Sequence, residues 1–152
     1  MELRPRILVI ACNYCGYAGA DLAGTMRLQY PANALIMRVP CGGRISPAMI
    51  LEALRSGYDG VLLAICHPQD CHFMKGSELC TRRFRLLEHL LKSLGINGRI
   101  RLEYISAAEG EKLARVVSDM VKQLATQEKP RVKFVQYKYC LLYTSDAADE
   151  LD

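Results

Sequence analysis

Four strand-length runs rich in apolar residues alternate with segments of helical periodicity along this chain. The runs cover residues 7–11, 34–39, 60–65 and 99–105, and the first is apolar at every position. Continuous apolar runs are typical of strands that are buried on both faces of a sheet. The pattern therefore predicts four strands, with the first in the interior of the sheet.

Two shorter helices are predicted between the first three strands. The first covers about residues 21–29 and ends before Pro31, because the residue that precedes a proline is disfavoured in helical geometry. The second begins at Ser46 and Pro47, with serine as the N-cap and proline in the first turn. It ends near Gly57, where a C-terminal glycine is expected.

Two longer helices follow the third and fourth strands. The third helix is predicted over residues 77–94, and the fourth begins behind Ser106 and Glu109, which have the spacing of a capping box. The apolar positions that predict the buried face of the third helix are Phe84, Leu87, Leu90, Leu91 and Leu94. Those that predict the buried face of the fourth helix are Leu113, Val116, Val117, Met120, Val121 and Leu124.

The alternation of strands and helices predicts right-handed βαβ units that form one parallel sheet. We expect a single α/β domain with a flavodoxin-like, open, doubly wound sheet of about four parallel strands in the order 2-1-3-4. The length of 152 residues suits one domain with its own core.

The C-terminal residues 140–152 do not fit this pattern. They resemble the translation of a transposase-end sequencing adapter, and such segments are set aside before the fold is considered; a genuine acidic tail is the alternative interpretation. We therefore expect a domain over residues 1–128 and a linker over residues 129–139 that leads to a missing downstream region. Without the four acidic residues of the tail, the formal charge rises from +4 to +8, which favours docking on an acidic partner.

The composition is ordinary for a soluble globular protein. Hydrophobic residues make up 51% of the chain and charged residues 24%, and no apolar run reaches the roughly 18 residues of a membrane span. The first residues lack the long apolar core of a signal peptide, so a cytoplasmic location is predicted. In the cytoplasm, seven cysteines indicate metal binding or thiol redox chemistry rather than disulfides.

Five of the cysteines follow the ends of predicted strands. Cys12 and Cys15 follow the first strand, Cys41 the second, and Cys66 and Cys71 the third. Because ligands of open α/β sheets bind beyond the carboxyl ends of the strands, we expect these five thiols to meet in space. Cys80 falls within the third helix and is expected to be a buried packing residue.

Thiolates in this number fit either of two metal centres. Iron–sulfur clusters are held by four cysteine thiolates, and structural zinc uses the same ligands. Glycines beside the cysteines, such as Gly16 and Gly43, allow close approach of the backbone. His67 and His72 each follow a cysteine, and both are candidates to ligate a cluster or to donate a hydrogen bond to its sulfur.

Other features limit the classes of function. The basic residues Lys75, Arg82, Arg83 and Arg85 follow the last cysteine loop and form either a solvated helix face or a docking site. The chain has no dinucleotide fingerprint, no P-loop and no evident nucleophile–base–acid trio. It also lacks the mixture of clustered basic and aromatic residues that is typical of nucleic-acid binding.

Five blocks of sequence resemble one known family, the delta subunit of methyl-viologen-reducing hydrogenase. They are Cys12-Asn-Tyr-Cys15 and its continuation to Gly24, residues 27–31, residues 38–44, Cys66-His-Pro-Gln-Asp-Cys71-His72, and residues 106–111. Together they extend over about residues 5–125. Their order and number make the resemblance specific.

The resemblance implies a 2Fe-2S cluster whose ligands are four of the five residues Cys12, Cys15, Cys41, Cys66 and Cys71, without indicating which is spare. It also implies a protein that is not catalytic alone and relays electrons between a hydrogenase or formate dehydrogenase and the flavin subunit of heterodisulfide reductase, as in methanogenesis. Two alternatives remain open: a thiol–disulfide redox protein that uses Cys12 and Cys15, and a zinc-stabilised interaction module.

Overall fold

The computed structural model describes residues 5–128, which form one parallel four-stranded sheet with helices on both faces. The strands are β1 (Ile7–Cys12), β2 (Ala34–Val39), β3 (Gly60–Ile65) and β4 (Ile100–Tyr104). Their order is β2-β1-β3-β4, and every neighbouring pair is parallel. The predicted α/β class, strand number and strand order are confirmed. The predicted linker and the tail lie outside the described residues.

The interior strands are buried as their composition predicts. All six residues of β1 and all six of β3 are buried, because each strand has a neighbour on either side and a helix layer on each face. β2 and β4 form the edges and are only partly covered. The register aligns Cys12 with Val39, and Ala11 with Ala64. The loops that follow β1, β2 and β3 therefore leave the sheet at the same level.

Four helices complete the two outer layers: α1 (Ala18–Thr25), α2 (Pro47–Arg55), α3 (Gly76–Ser93) and α4 (Gly110–Thr126). α1 and α4 pack on one face of the sheet around Leu62 and Ile105. α2 and α3 cover the other face around Ile10 and Leu63. The Ser46 hydroxyl caps α2 by accepting a hydrogen bond from the Met49 N–H at 3.3 Å, as the sequence predicts.

The prediction for α1 is wrong at both ends. A single wide turn, Asn13–Tyr17, leads directly into the helix, so α1 starts at Ala18 rather than near Asp21. The helix stops at Thr25 because Arg27 adopts left-handed geometry, with φ of 54°. The Leu28 N–H then donates to the Ala23 carbonyl at 2.9 Å, which is the hydrogen bond that closes a helix of this kind.

Part of the predicted buried face of α3 is also wrong. Phe84, Leu87 and Leu91 are buried, but Leu90 and Leu94 are exposed. Leu90 and Leu94 continue an apolar pattern on the side of the helix next to the buried face. Apolar spacing on one helix could not distinguish the two sides, because both repeat at intervals of three and four residues.

The capping box before α4 is formed only in part. The Glu109 carboxylate accepts a hydrogen bond from the Ser106 N–H at 2.7 Å, as the motif requires. However, the helix starts at Gly110, so Glu109 itself occupies the N-cap position. The apolar face of α4 is buried throughout, from Leu113 to Leu124, as predicted.

Candidate functional site

Five cysteines lie together at the carboxyl edge of the sheet, where the sequence places them. Cys12 is the last residue of β1, and Cys15 lies in the wide turn that follows. Cys41 precedes a short turn, Gly42–Arg44, after β2; Cys66 follows β3 directly, and Cys71 comes after the turn Pro68–Asp70. All five are free thiols. One difference is small: Cys12 ends its strand rather than following it.

Cys12, Cys15 and Cys66 form one half of this thiol cluster. The Cys12 and Cys66 sulfurs are 3.3 Å apart, and the Cys15 thiol is within hydrogen-bonding reach of Cys66. The Gly16 N–H donates to the Cys12 sulfur at 3.3 Å. Strands β1 and β3 are adjacent, so their pairing holds this half of the cluster together.

Cys41 and Cys71 form the other half of the thiol cluster. Their sulfurs lie close enough for each thiol to shift the pKa of the other. The Gly43 N–H donates to the Cys41 sulfur at 3.4 Å, and backbone N–H groups of Ser77, Phe73 and Gly76 point at the Cys71 sulfur. These donors favour negatively charged sulfur.

Glycines are required where the loops of the thiol cluster meet. A Cβ on Gly76 would overlap the Cys41 sulfur and would lie 3.3 Å from the Cys71 sulfur. A Cβ on Gly43 would lie 3.0 Å from the Gly76 Cα, so the two backbones touch. A Cβ on Gly16 would overlap the carbonyl oxygen of Ala64. Bare backbone at these positions lets the thiols converge.

Burial and backbone donors act on the thiols in opposite directions. Burial raises the pKa of Cys15, Cys41 and Cys66, because a thiolate loses hydration there. Burial acts in the same direction on Cys71, but the three backbone N–H groups overcome it and lower its pKa. Five neighbouring thiols also repel one another once ionised. A bound cation would relieve both penalties, since it stabilises thiolates directly.

The two candidate histidines make their contacts outside the thiol cluster. His67 Nε2 lies 3.0 Å from the Glu109 carboxylate, and its ring lies 5.9 Å from that of Tyr104. The His72 ring stacks on Tyr14 with centroids 3.9 Å apart. Both histidines thus have fixed partners, and their role towards a cluster stays a prediction.

Three contacting residues do not follow from the sequence patterns. The sequence motif predicts only a capping role for Glu109, although this residue also binds His67. A hydrogen bond from the Ser106 N–H and the contact with His67 together hold the pKa of Glu109 at about 2. Tyr14 and Phe73 are exposed aromatics that flank His72. Tyr14 lies between Cys12 and Cys15, and Phe73 lies two residues after Cys71. These positions next to the cysteines are the sequence signal that could have indicated them.

Cys80 and the basic residues of α3 have structural contacts. Cys80 is 1% exposed and belongs to the core beneath α3, and burial raises its pKa to about 12; its predicted burial is confirmed. Arg83 donates to the Gly43 carbonyl at 2.8 Å and so holds the turn after Cys41. Arg82 pairs with Glu78.

Two features are absent from the described part of the chain. No group of three or more His, Cys, Asp and Glu side chains within residues 5–128 is arranged to hold a metal ion as it stands. Over the same residues, no helix combines the length and the apolar character needed to cross a membrane.

The fold and the site define a class of protein: a small parallel α/β domain with a thiol-lined carboxyl edge. The family model for the delta subunit of methyl-viologen-reducing hydrogenase matches residues 7–126. This chain therefore belongs to that family, which confirms the resemblance in the sequence.

Relatives with assigned names support this placement. The chain is 49% identical over 119 residues to an F420-non-reducing hydrogenase iron-sulfur subunit of Archaeoglobus profundus, covering 78% of this chain and 87% of the relative. It is 45% identical over 121 residues to the F420-non-reducing hydrogenase vhc iron-sulfur subunit of Methanococcus voltae, covering 79% and 84%.

A relative of a different kind belongs to the ferredoxin/F(420)H(2)-dependent CoB-CoM heterodisulfide reductase of Methanosarcina acetivorans. The identity is 40% over 121 residues, which cover 79% of this chain but only 15% of that much longer polypeptide. The same domain is thus found both as a separate polypeptide and as part of a larger chain.

Proposed function

We propose that residues 1–128 form an electron-transfer subunit that binds an iron–sulfur cluster of the 2Fe-2S type. Its ligands would be four of the five thiols Cys12, Cys15, Cys41, Cys66 and Cys71. The observation that carries the proposal is the convergence of these thiols, from three separate loops, at the edge where such sheets bind ligands.

The donor set fits the cluster. Iron–sulfur clusters take four cysteine thiolates, and backbone hydrogen bonds to sulfur tune their potential. N–H groups of Gly16 and Gly43 already point at Cys12 and Cys41. When bound, the cluster supplies one-electron transfer. The chain would hold it, shield it from water and set its potential.

Relatives named for hydrogenase and heterodisulfide reductase suggest the route of the electrons. In this proposal the protein works in the cytoplasm and relays electrons between a hydrogenase or formate dehydrogenase and the flavin subunit of heterodisulfide reductase. It would not be catalytic alone, because it needs both an electron donor and an acceptor.

The two alternatives have less support. A thiol–disulfide enzyme needs a thiolate of low pKa, whereas burial raises the pKa of Cys15, and the 3.3 Å sulfur contact of Cys12 is with Cys66. A zinc module would use the same thiols. It would not explain why the relatives are named iron–sulfur subunits.

Anaerobic purification of the full chain tests the proposal. We expect about two irons and two sulfides per chain, visible absorption bands, and an electron paramagnetic resonance signal that appears when dithionite reduces the sample. About four irons would overturn the 2Fe-2S assignment but keep the function. One zinc, or a metal-free protein with a Cys12–Cys15 disulfide, would support an alternative.

A second experiment tests the relay. The reduced protein is mixed with the heterodisulfide reductase flavin subunit in a stopped-flow instrument, and flavin absorbance is followed. We expect flavin reduction at the rate at which the cluster is reoxidised. A fully loaded protein that never reduces the flavin would overturn this route while leaving the cluster assignment intact.

A further inference from the structure

Helix α3 carries two parallel apolar stripes, of which the protein covers only one. Cys80, Phe84, Leu87 and Leu91 form the buried stripe. Leu79, Leu86, Leu90 and Leu94, here named the leucine strip, follow one side of the same helix and its C-cap at intervals of seven, four and four residues. Each leucine of the strip has between 43% and 63% of its surface exposed.

A second apolar stripe is unusual for a helix on the surface of a protein. Such helices normally have one apolar stripe that faces the core and a polar opposite side. α4 follows that rule: from Leu113 to Leu124 its large apolar residues are buried. Contiguous exposed apolar surface of this kind is typical of protein–protein contacts. The leucine strip is therefore surface that a further polypeptide would cover.

The surroundings of the leucine strip are basic. Residues 75–92 include five basic residues, Lys75, Arg82, Arg83, Arg85 and Lys92, against two acidic residues, Glu78 and Glu88. Glu78 is paired with Arg82, and Glu88 with Lys92 at 3.5 Å. At 100° per residue, Arg83 falls within the strip and Lys75 and Arg82 at its border. The local charge attracts an acidic partner.

We propose that the leucine strip is the docking surface for an apolar helix of a partner subunit, with acidic residues beside that apolar face. This proposal rests on the proposed function, which requires the chain to work beside other redox subunits. Leucines at positions 79, 86 and 90 have the spacing at which one helix packs along another. The acidic residues would face Lys75, Arg82 and Arg83.

Charge argues against a second copy of this chain as the occupant. In a symmetric dimer through the leucine strip, the basic residues of one α3 would face those of the other, since such an interface uses the same patch twice. Like charges that face each other across an interface are unfavourable. A partner with acidic residues removes this repulsion.

Photo-crosslinking tests which polypeptide covers the strip. The full chain carries a benzophenone amino acid in place of Leu86 and is purified with its native hydrogenase and heterodisulfide reductase subunits. After irradiation, crosslinked peptides are identified by mass spectrometry. We expect a crosslink to a helical segment of one of those subunits that has an apolar face flanked by acidic residues. The same probe in place of Lys92, which lies about 120° around α3 from Leu86 at 100° per residue, should give at least tenfold less of that product.

A paired substitution tests the energetic contribution. When the Leu86→Gln/Leu90→Gln variant is purified with the partner subunits, it should retain at least tenfold less of the subunit that the crosslink identifies. Its iron content should be unchanged. The control Glu88→Gln/Lys92→Gln, on the side of α3 opposite the strip, replaces an ion pair by neutral side chains and should retain as much as the unmodified chain. Because the substituted leucines are exposed, the unfolding temperature of the isolated variant should remain within a few degrees of the unmodified value.

Each other outcome overturns the docking proposal. A crosslink to a second copy, or to residues 140–152 of the same chain, would assign the strip another occupant. Equal retention by the leucine variant, or no crosslink in a preparation that contains the partner subunits, would show that the strip is not an interface. If the unmodified chain loads iron but brings no partner, the proposed relay fails together with the docking surface, whereas the cluster assignment stands.

Discussion

The carboxyl and amino ends of the strands, here called the carboxyl edge and the amino edge, have different roles. At the carboxyl edge, thiols converge, backbone N–H groups point at sulfur, and glycine backbones touch. At the amino edge, Arg99 is only 4% exposed and donates to the carbonyls of Asp59 and Glu128 at 3.0 and 2.6 Å. Gly60 there packs against the side chains of Leu124 and Met120. The first edge can hold a ligand, while the second ties β3, β4 and α4 together. Substitutions at the two edges should therefore separate loss of the cofactor from loss of the fold.

The largest effect is expected from Gly76→Ala at the carboxyl edge. The added methyl group would displace the Cys41 thiol, so iron bound per chain should fall by tenfold or more while the protein stays folded. Iron analysis and thermal unfolding measure the two quantities. Gly24→Ala is the matched control: its Cβ would meet nothing within 4 Å, and it should raise stability by about 0.5–1 kcal/mol. Full iron loading of Gly76→Ala would contradict the assigned geometry of the site.

The opposite result is expected from Arg99→Met at the amino edge. The substitution removes the part-buried hydrogen bonds that the Arg99 guanidinium donates to the Asp59 and Glu128 carbonyls, which should lower the free energy of unfolding by roughly 1–3 kcal/mol. Iron per folded chain should not change. Arg101→Met, which removes a partly exposed pair with Glu103, should cost less than about 1 kcal/mol. Denaturant titration measures the free energy of unfolding of both variants. Equal decreases in the two variants would count against the role of Arg99.

A smaller effect is expected from Cys80→Ala, because Cys80 lies close to the thiol cluster but belongs to the core. The loss of a small buried group should cost about 1 kcal/mol, with an unchanged number of irons per chain. When the five cysteines of the thiol cluster are replaced by alanine one at a time, four of the five variants should instead lose the cluster. If Cys80→Ala also lost iron, Cys80 would join the set of candidate ligands.

The smallest effect concerns Glu109 and acid pH. Its pKa falls from an ordinary 4.5 to about 2 in the fold, so its contribution to stability is complete above about pH 4.5 and is lost as the pH falls towards 2. Because the carboxylate is close to solvent, the contribution should be below about 1 kcal/mol. Glu109→Gln should lose this part of the pH dependence in the stability of the metal-free protein between pH 5 and 2. An unchanged slope would refute the assignment.

The sequence predicts the scaffold well because its signals are local and redundant. Apolar runs define β1 and β3, and the serine–proline pair defines the start of α2. The convergence of Cys12, Cys41 and Cys66 also follows from topology alone, since parallel strands end at the same edge. Details that depend on a single backbone angle or on a distant neighbour were not predictable in this way.

Three residues illustrate the limit. The end of α1 depends on the left-handed geometry of Arg27, a residue with no special preference for it. The contact between His67 and Glu109 joins residues 42 positions apart. Whether Leu90 faces the core or solvent depends on how α3 is rotated against the sheet, which apolar spacing does not fix.

The position at which α4 ends has a consequence for gene fusion. α4 begins beside the thiol cluster and, with 17 residues, carries the chain roughly 25 Å away, to the amino edge, where the Glu128 carbonyl binds Arg99. A polypeptide joined after Glu128 would thus start at the far end of the domain and leave the thiol edge open. Such a domain can be fused to another polypeptide without blocking its thiol cluster, which is consistent with the match to the much longer Methanosarcina acetivorans protein.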